Sequence, residues 1–341
     1  MNIKKLLGAG VLALAAVGTA AQAETKLLFN MFMAPQDPFN TLVLKPWAED
    51  VIKATDGRVK IEFAPASMAS PQAQMDAVEK GVFDGAYMYH GFLQGRIKLS
   101  QIAHLPFINV NAKGSSIALW RTYEKYFAKA NEYKDVQLLS LFTFPGGPIY
   151  GMSDPVKSTA DLDGIKIYSV AGNVADMLTK TGAGVVVAPA ARSYEIISGG
   201  TVDAFAGYPL YSATAFHTAQ YAKAVTDIPG QMSAPSFALF VNKKRWQAIS
   251  EADRKIVMDL SGEAFAARLE AIDQLEAQLR KDVADQGIPF MKADESLMTA
   301  FRTYGKKLRD DWITAAAELD VDGEAALKFY EQEAKANANA Q

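Results

Sequence analysis

The sequence predicts an α/β protein of two lobes, each a mostly parallel sheet flanked by helices, with long C-terminal helices bridging them. Three observations carry this expectation. Strand-like apolar runs alternate with helical stretches in two separate series, as parallel sheets with helical crossovers require. The chain has 341 residues, half of them hydrophobic, enough to fill more than one core. The last third reads as helix of a length that reaches across both series.

The first residues, "MNIKKLLGAGVLALAAVGTAAQA", join Lys4 and Lys5 to a small apolar run and end in Ala21-Gln22-Ala23. These are the parts of a secretory signal peptide, with cleavage expected after Ala23. The apolar run is shorter than the roughly 20 residues that a membrane span needs.

The first series begins with a strand in "KLLFNMFM" and a helix in "TLVLKPWAEDVIKATDG", stopped at Gly57. "RVKIEF" alternates Val59, Ile61 and Phe63 as a half-buried strand. Ser70 and Pro71 open a helix carrying Met75 and Val78, and "DGAYMY" is the next strand. A helix around Ile117 to Phe127 and a strand at Val136 to Phe144 follow. The second series runs through "GIKIYSV", a helix from Asn173 to Thr181, "GVVVA", a helix at Ser193 to Ser198, "VDAFAG" and a helix near Tyr211 to His217. The C-terminal third opens on a capping box from Ser250 to Asp253 and keeps apolar helical spacing from Val257 to Val283. The lobes are expected to exchange segments: residues 24–147 and 232–275 form the first, 148–231 and 276–341 the second. Hinges are expected near Phe144 to Gly147 and Pro229 to Ala234. Ligands of open α/β sheets bind beyond the carboxyl ends of the strands, so Met33, Tyr89, Phe144, Tyr168 and Gly207 are expected to face a cleft.

Composition removes several functions. The formal charge is −3 with no basic block beyond the leader, which argues against nucleic acid as a partner. There is no cysteine, hence no thiol catalysis, thiolate zinc or iron–sulfur cluster. His90, His104 and His217 lack metal-ligand spacing and read as structural, and "GAG" at Gly182 to Gly184 ends a helix instead of following a strand. No nucleophile elbow, H-E-x-x-H or Walker loop occurs. The chain reads as a binder without cofactor or metal, not an enzyme.

"DLDGIKIYSV" (Asp161 to Val170), followed by "GAGVVVAPAARSYEIISGGTVDAF", resembles the D-L-x-G-L-K-I-R-V-P … G-A-x-P … V-D-G signature of the solute-binding proteins of TRAP (tripartite ATP-independent periplasmic) transporters. "TDGRVKIEF", "EKGVFDGAYM", "LPF" and "LFVNKKRWQAIS" extend the likeness over nearly the whole mature chain. The resemblance implies the two-lobed periplasmic binding protein fold: a monomer in the periplasm that closes on one small solute. It hands that solute to the membrane subunits of an ion-gradient-driven permease.

Tyr168 departs from the pattern, standing where the family usually carries the arginine that grips a solute carboxylate. An ion pair that loses one partner in a desolvated site costs about 3–5 kcal/mol, so a carboxylate held in the family manner is disfavoured. The resemblance also places Tyr89, Tyr208 and Tyr150 at or near contact positions. Phe32 ends the first strand, and Phe205 joins the set because residues two apart on a strand point the same way. Aromatic faces attract an ammonium group by roughly 0.5–2 kcal/mol each. The expected solute is therefore a small amine or amino alcohol, ethanolamine-like, or a quaternary ammonium compound. The same receptor role for an organic acid stays open through another cation, Arg192; Glu195 matches a structural glutamate of the family.

Overall fold

The computed structural model describes residues 24–93 and 95–338; the expected signal peptide and its cleavage after Ala23 lie outside the described residues. Strands β1 (Thr25–Asn30), β2 (Val59–Phe63), β3 (Gly85–Tyr89), β4 (Val136–Thr143) and β10 (Ser236–Asn242) form a five-stranded sheet in the order β2-β1-β3-β10-β4. Strands β5 (Ile149–Gly151), β6 (Lys166–Ser169), β7 (Gly184–Val187), β8 (Ala204–Ala206), β9 (Ala224–Asp227) and β11 (Phe290–Lys292) form a six-stranded sheet in the order β11-β9-β5-β8-β6-β7.

Period-two alternation gives the first sheet a core on each face. Leu27 and Phe29 of β1 pack with Trp47 and Phe142, whereas Leu28 points to the opposite core with Val78 and Leu141. Each sheet admits one antiparallel strand: β10 runs against β3 and β4, and β5 against β8 and β9. All seven residues of β10 are buried, and its apolar stretch Phe237 to Val241 runs without alternation.

The chain passes between sheets at Phe144–Pro148, linking β4 to β5, and at Ile228–Pro235, linking β9 to β10. The two crossings are laced together. Phe144 N–H donates to the Pro235 carbonyl at 2.9 Å, and Gly146 N–H to Gln231 Oε1 at 3.0 Å.

The helical third differs in two ways from its sequence reading. The periodic stretch after Ser250 is not continuous but splits into helices 251–259, 262–267 and 270–285. Of the expected capping box one half forms, Asp253 N–H donating to Ser250 Oγ at 3.1 Å, while the Asp253 carboxylate accepts the Ser250 hydroxyl at 2.9 Å and pairs with Arg58. The segment 276–341 is also shared between lobes instead of joining the second alone. Helix 295–317 buries Leu297 and Phe301 in the second lobe but Trp312 and Ala316 in the first. Helix 323–338 packs on helix 112–122 through Leu327 and Tyr330, whose hydroxyl donates to Asn109 Oδ1 at 2.6 Å. Helical periodicity identifies a buried face, not the lobe that buries it.

Candidate binding site between the lobes

A narrow gap of about 10 Å3, room for about one water molecule, lies at the carboxyl ends of β3, β6 and β8. Tyr89 and His104 come from the first lobe, Val170, Ala171, Asn173, Val174 and Gly207 from the second, and Gly147, Ser233 and Pro235 from the crossings. Its walls carry no Lys, Arg, Asp or Glu among the described residues.

The first-lobe wall is aromatic. The Tyr89 ring stacks on the His104 imidazole at 5.3 Å between centroids and meets Phe92 and Phe237 at 5.2 and 5.5 Å. Gly91 makes room for it, since a Cβ there would lie 2.1 Å from the ring. Burial pushes the Tyr89 hydroxyl up to about 12, so it keeps its proton; it has no hydrogen-bond partner among the described residues.

His104 and His90, distant in sequence, meet at one hydroxyl: Ser236 Oγ lies 2.9 Å from His104 Nε2 and 2.8 Å from His90 Nδ1. Burial lowers His104 to about 4 and His90 well below its usual range, the latter also through His104, so both rings are neutral. His104 Nε2 accepts the Ser236 N–H at 3.2 Å, which leaves the ring proton on Nδ1. That Nδ1–H has no protein partner among the described residues.

The second-lobe wall is the start of helix 173–180. Its N-cap is Gly172, held at φ +121°, a backbone state open to glycine. No side chain caps the first-turn N–H groups. Asn173 reaches across the cleft instead, Nδ2 donating to the His104 carbonyl at 2.8 Å. A Cβ on Gly172 would sit 3.8 Å from the Tyr89 hydroxyl oxygen, so that hydroxyl lies against the helix start. Ser233 is only 9 % exposed, lines the same cavity, and its hydroxyl has no partner among the described residues.

A second cavity lies behind the crossings, lined by Asn111, Gln231, Asp273, Glu276 and Arg280, but its polar groups are engaged. Asp273 accepts from the Ala112 and Lys113 N–H groups, Glu276 from those of Leu210 and Tyr211, and Arg280 pairs with Asp227.

Residues 29–314 match the model of the family described as bacterial extracellular solute-binding protein, family 7. The chain belongs to this family. As a TRAP solute receptor it is similar to a Bordetella bronchiseptica TRAP periplasmic solute-binding protein solved with bound (R)- and (S)-mandelate: 33% identity, TM-score 0.85, 91% of this chain and 99% of that one covered. It is also similar to a marine metagenome receptor specific for aromatic acids, in complex with 3-hydroxybenzoate, at 26% identity and TM-score 0.81 over 92% of this chain and 99% of that one. The outer membrane transporter protein TsaT of Comamonas testosteroni is 47% identical over 338 residues, 99% of this chain and 100% of that protein. Among the described residues, no helix of the receptor is long and apolar enough to cross a membrane.

Of the seven residues singled out in the sequence, only Tyr89 lines the receptor's cavity. Register explains where three others go. Tyr168 pairs with Phe205 and Phe205 with Tyr150, so the three form a cross-strand row on one face of the second sheet. That face is covered by Ile197, Leu210 and Val283, and Tyr208 packs on all three rings at 6.0–6.4 Å. Their hydroxyls are engaged: Tyr168 donates to the Ala188 carbonyl at 3.1 Å, Tyr150 to the Tyr208 carbonyl at 3.3 Å, and Tyr208 meets Thr218 Oγ1 at 3.2 Å. Burial raises the Tyr168 hydroxyl far above its usual range. The expected aromatic cage is thus a packed wall with no ring face open to an ammonium group. Phe32 is half-buried against Tyr87 at 4.9 Å in the first lobe. Arg192 is 61% exposed and pairs with Glu195 at 3.3 Å, away from the cavity walls. Neither mandelate nor 3-hydroxybenzoate, the solutes of the two solved relatives, is an amine. His104, Asn173 and Ser233 escaped sequence reasoning because no motif links positions so far apart in the chain.

Proposed function

We propose that this protein is the extracytoplasmic receptor of a TRAP transporter for a small aromatic acid, which it delivers to the membrane subunits of an ion-gradient-driven permease. It works as a monomeric binder, not as an enzyme. The supporting observation is the polarity of the interlobe cavity: it offers hydrogen-bond donors and the positive end of a helix, with no carboxylate to neutralise an ammonium group. The Tyr89 and His104 rings with Val170, Val174 and Pro235 supply an apolar bed for an aromatic body. Solved relatives that hold mandelate and 3-hydroxybenzoate favour the same class. Arg192 does not supply the anchor.

The mechanism is capture by lobe closure about the two crossings, since contacts that join both walls favour the closed population. Thermal-shift measurements with benzoate, 3-hydroxybenzoate and mandelate against ethanolamine and choline test the reading. A solute at a hundred times its Kd adds about 2.7 kcal/mol of stability. Stabilisation by the acids alone is expected; stabilisation by the amines alone restores the cationic-solute reading.

A further inference from the structure

The reading as an acid receptor leaves open how a chain without the usual arginine holds a negative charge. The cavity narrows the answer. Helix 173–180 starts at Gly172 without a side-chain cap, and its first-turn N–H groups open beside Val174 and Ala171 in the cavity wall. Uncapped first-turn N–H groups attract an anion through hydrogen bonding and the helix dipole. Ser233 is an independent pointer: a side chain nine-tenths buried, lining this cavity, with its hydroxyl unpaired by protein. A hydroxyl that no protein group uses, held in the wall of this cavity, is available to a solute oxygen. The Tyr89 hydroxyl, in contact range of Gly172, is likewise unpaired, and the neutral His104 ring keeps a free N–H in the same wall.

We infer that the acid group is anchored without a cationic side chain, by the first-turn N–H groups of helix 173–180 and the hydroxyls of Ser233 and Tyr89. We infer further that the site therefore selects monoanions. The inference rests on the acid reading above. A helix start carries only about half a positive charge, which with the hydroxyl donors offsets part of one anionic charge and leaves nothing for a second. A guanidinium in place of Tyr168 would have supplied a full charge; the buried Tyr168 hydroxyl, bonded to the Ala188 carbonyl, supplies none.

Calorimetric titration of the full chain with benzoate is the test, with terephthalate compared against its monomethyl ester, which has nearly the same shape and one charge. Ser233→Ala removes a hydroxyl that no protein group uses, so ligand-free melting is expected to stay put while benzoate affinity falls about tenfold. Asn173→Pro deletes a first-turn N–H at a position where proline fits a helix, and Asn173→Ala is its control for loss of the side chain. The proline variant is expected to bind benzoate at least several-fold more weakly than the alanine variant, and the ester to outbind terephthalate in the wild type. If the wild type binds benzoate while Ser233→Ala and Asn173→Pro match their references, or terephthalate binds as well as its ester, the anchor is overturned and the acid reading survives. If no aromatic acid binds the wild type at all, the acid reading falls and the anchor with it.

Discussion

Asp273 and Glu276 stand three positions apart on helix 270–285, and each carboxylate holds the start of a helix in a different lobe. Asp273 accepts the Ala112 and Lys113 N–H groups at 2.7 and 2.9 Å, opening helix 112–122 of the first lobe. Glu276 accepts those of Leu210 and Tyr211 at 3.0 and 2.8 Å, opening helix 210–215 of the second. Residues at this spacing share one helix face, so a single rigid rod reaches both lobes behind the crossings. Both lobes are thus tied to one helix. Burial raises both carboxyls, Asp273 to about 6, against the lowering effect of the N–H bonds.

Losing either cap should therefore cost stability without touching the cavity. Asp273→Ala and Glu276→Ala are each expected to lower unfolding free energy by roughly 1–2 kcal/mol, as lost helix caps do. Glu276→Gln, which retains one acceptor oxygen, should recover part of the loss. Chemical denaturation at pH 7.5 reads the difference; an alanine variant as stable as wild type would mean that the helix does not hold that lobe.

The neutral His104 makes a separate statement about pH. Its folded pKa is depressed to about 4 from an ordinary 6.5, so between these values the unfolded chain binds the proton more readily than the folded one. The stabilising difference is whole above pH 6.5 and is lost as pH falls toward 4. Wild type should lose on the order of 3 kcal/mol more than His104→Gln between pH 7 and pH 4, measured by urea unfolding at each pH. The paired comparison removes the opposite contributions of Asp37 and Asp273, whose raised values stabilise the fold as pH falls. An equal loss in both proteins would show that His104 is charged in the fold. Because neither His104 nor Tyr89 changes charge between pH 5.5 and 8.5, benzoate affinity should stay nearly flat over that range, whereas an imidazolium anchor would strengthen it below pH 6.5.

Much of the frame was legible because it follows from local pattern. Alternation in "RVKIEF" and the helix cap at Ser250 are consequences of neighbouring residues. Tyr89 was within reach because strand ends of α/β sheets face the cleft. What escaped depends on contacts between distant segments. Strand β10 returns antiparallel into the first sheet from beyond the second, and Ser233 lines the same cavity as Tyr89 only because a crossing brings it there. Tyr168 and Tyr150 looked exposed to solute because sequence reveals alternation but not which face a covering helix occupies.

Tyr168 is the residue at which the two levels of reading part, and its substitution tests them. In this structure Tyr168→Arg would place a guanidinium in the row with Phe205 and Tyr150, under apolar cover, where the Ala188 carbonyl is the acceptor that the tyrosine used. Burying an uncompensated charge destabilises strongly, by about 3–5 kcal/mol where the side chain cannot escape. Tyr168→Phe, which gives up one neutral hydrogen bond, should cost only about 1 kcal/mol. A large loss of melting temperature in the arginine variant, with benzoate binding retained in the phenylalanine variant, is the expected pair of results. An arginine variant as stable as wild type and binding benzoate more tightly would mean that position 168 still opens to the cleft, and the wall described above would have to be redrawn as part of the site.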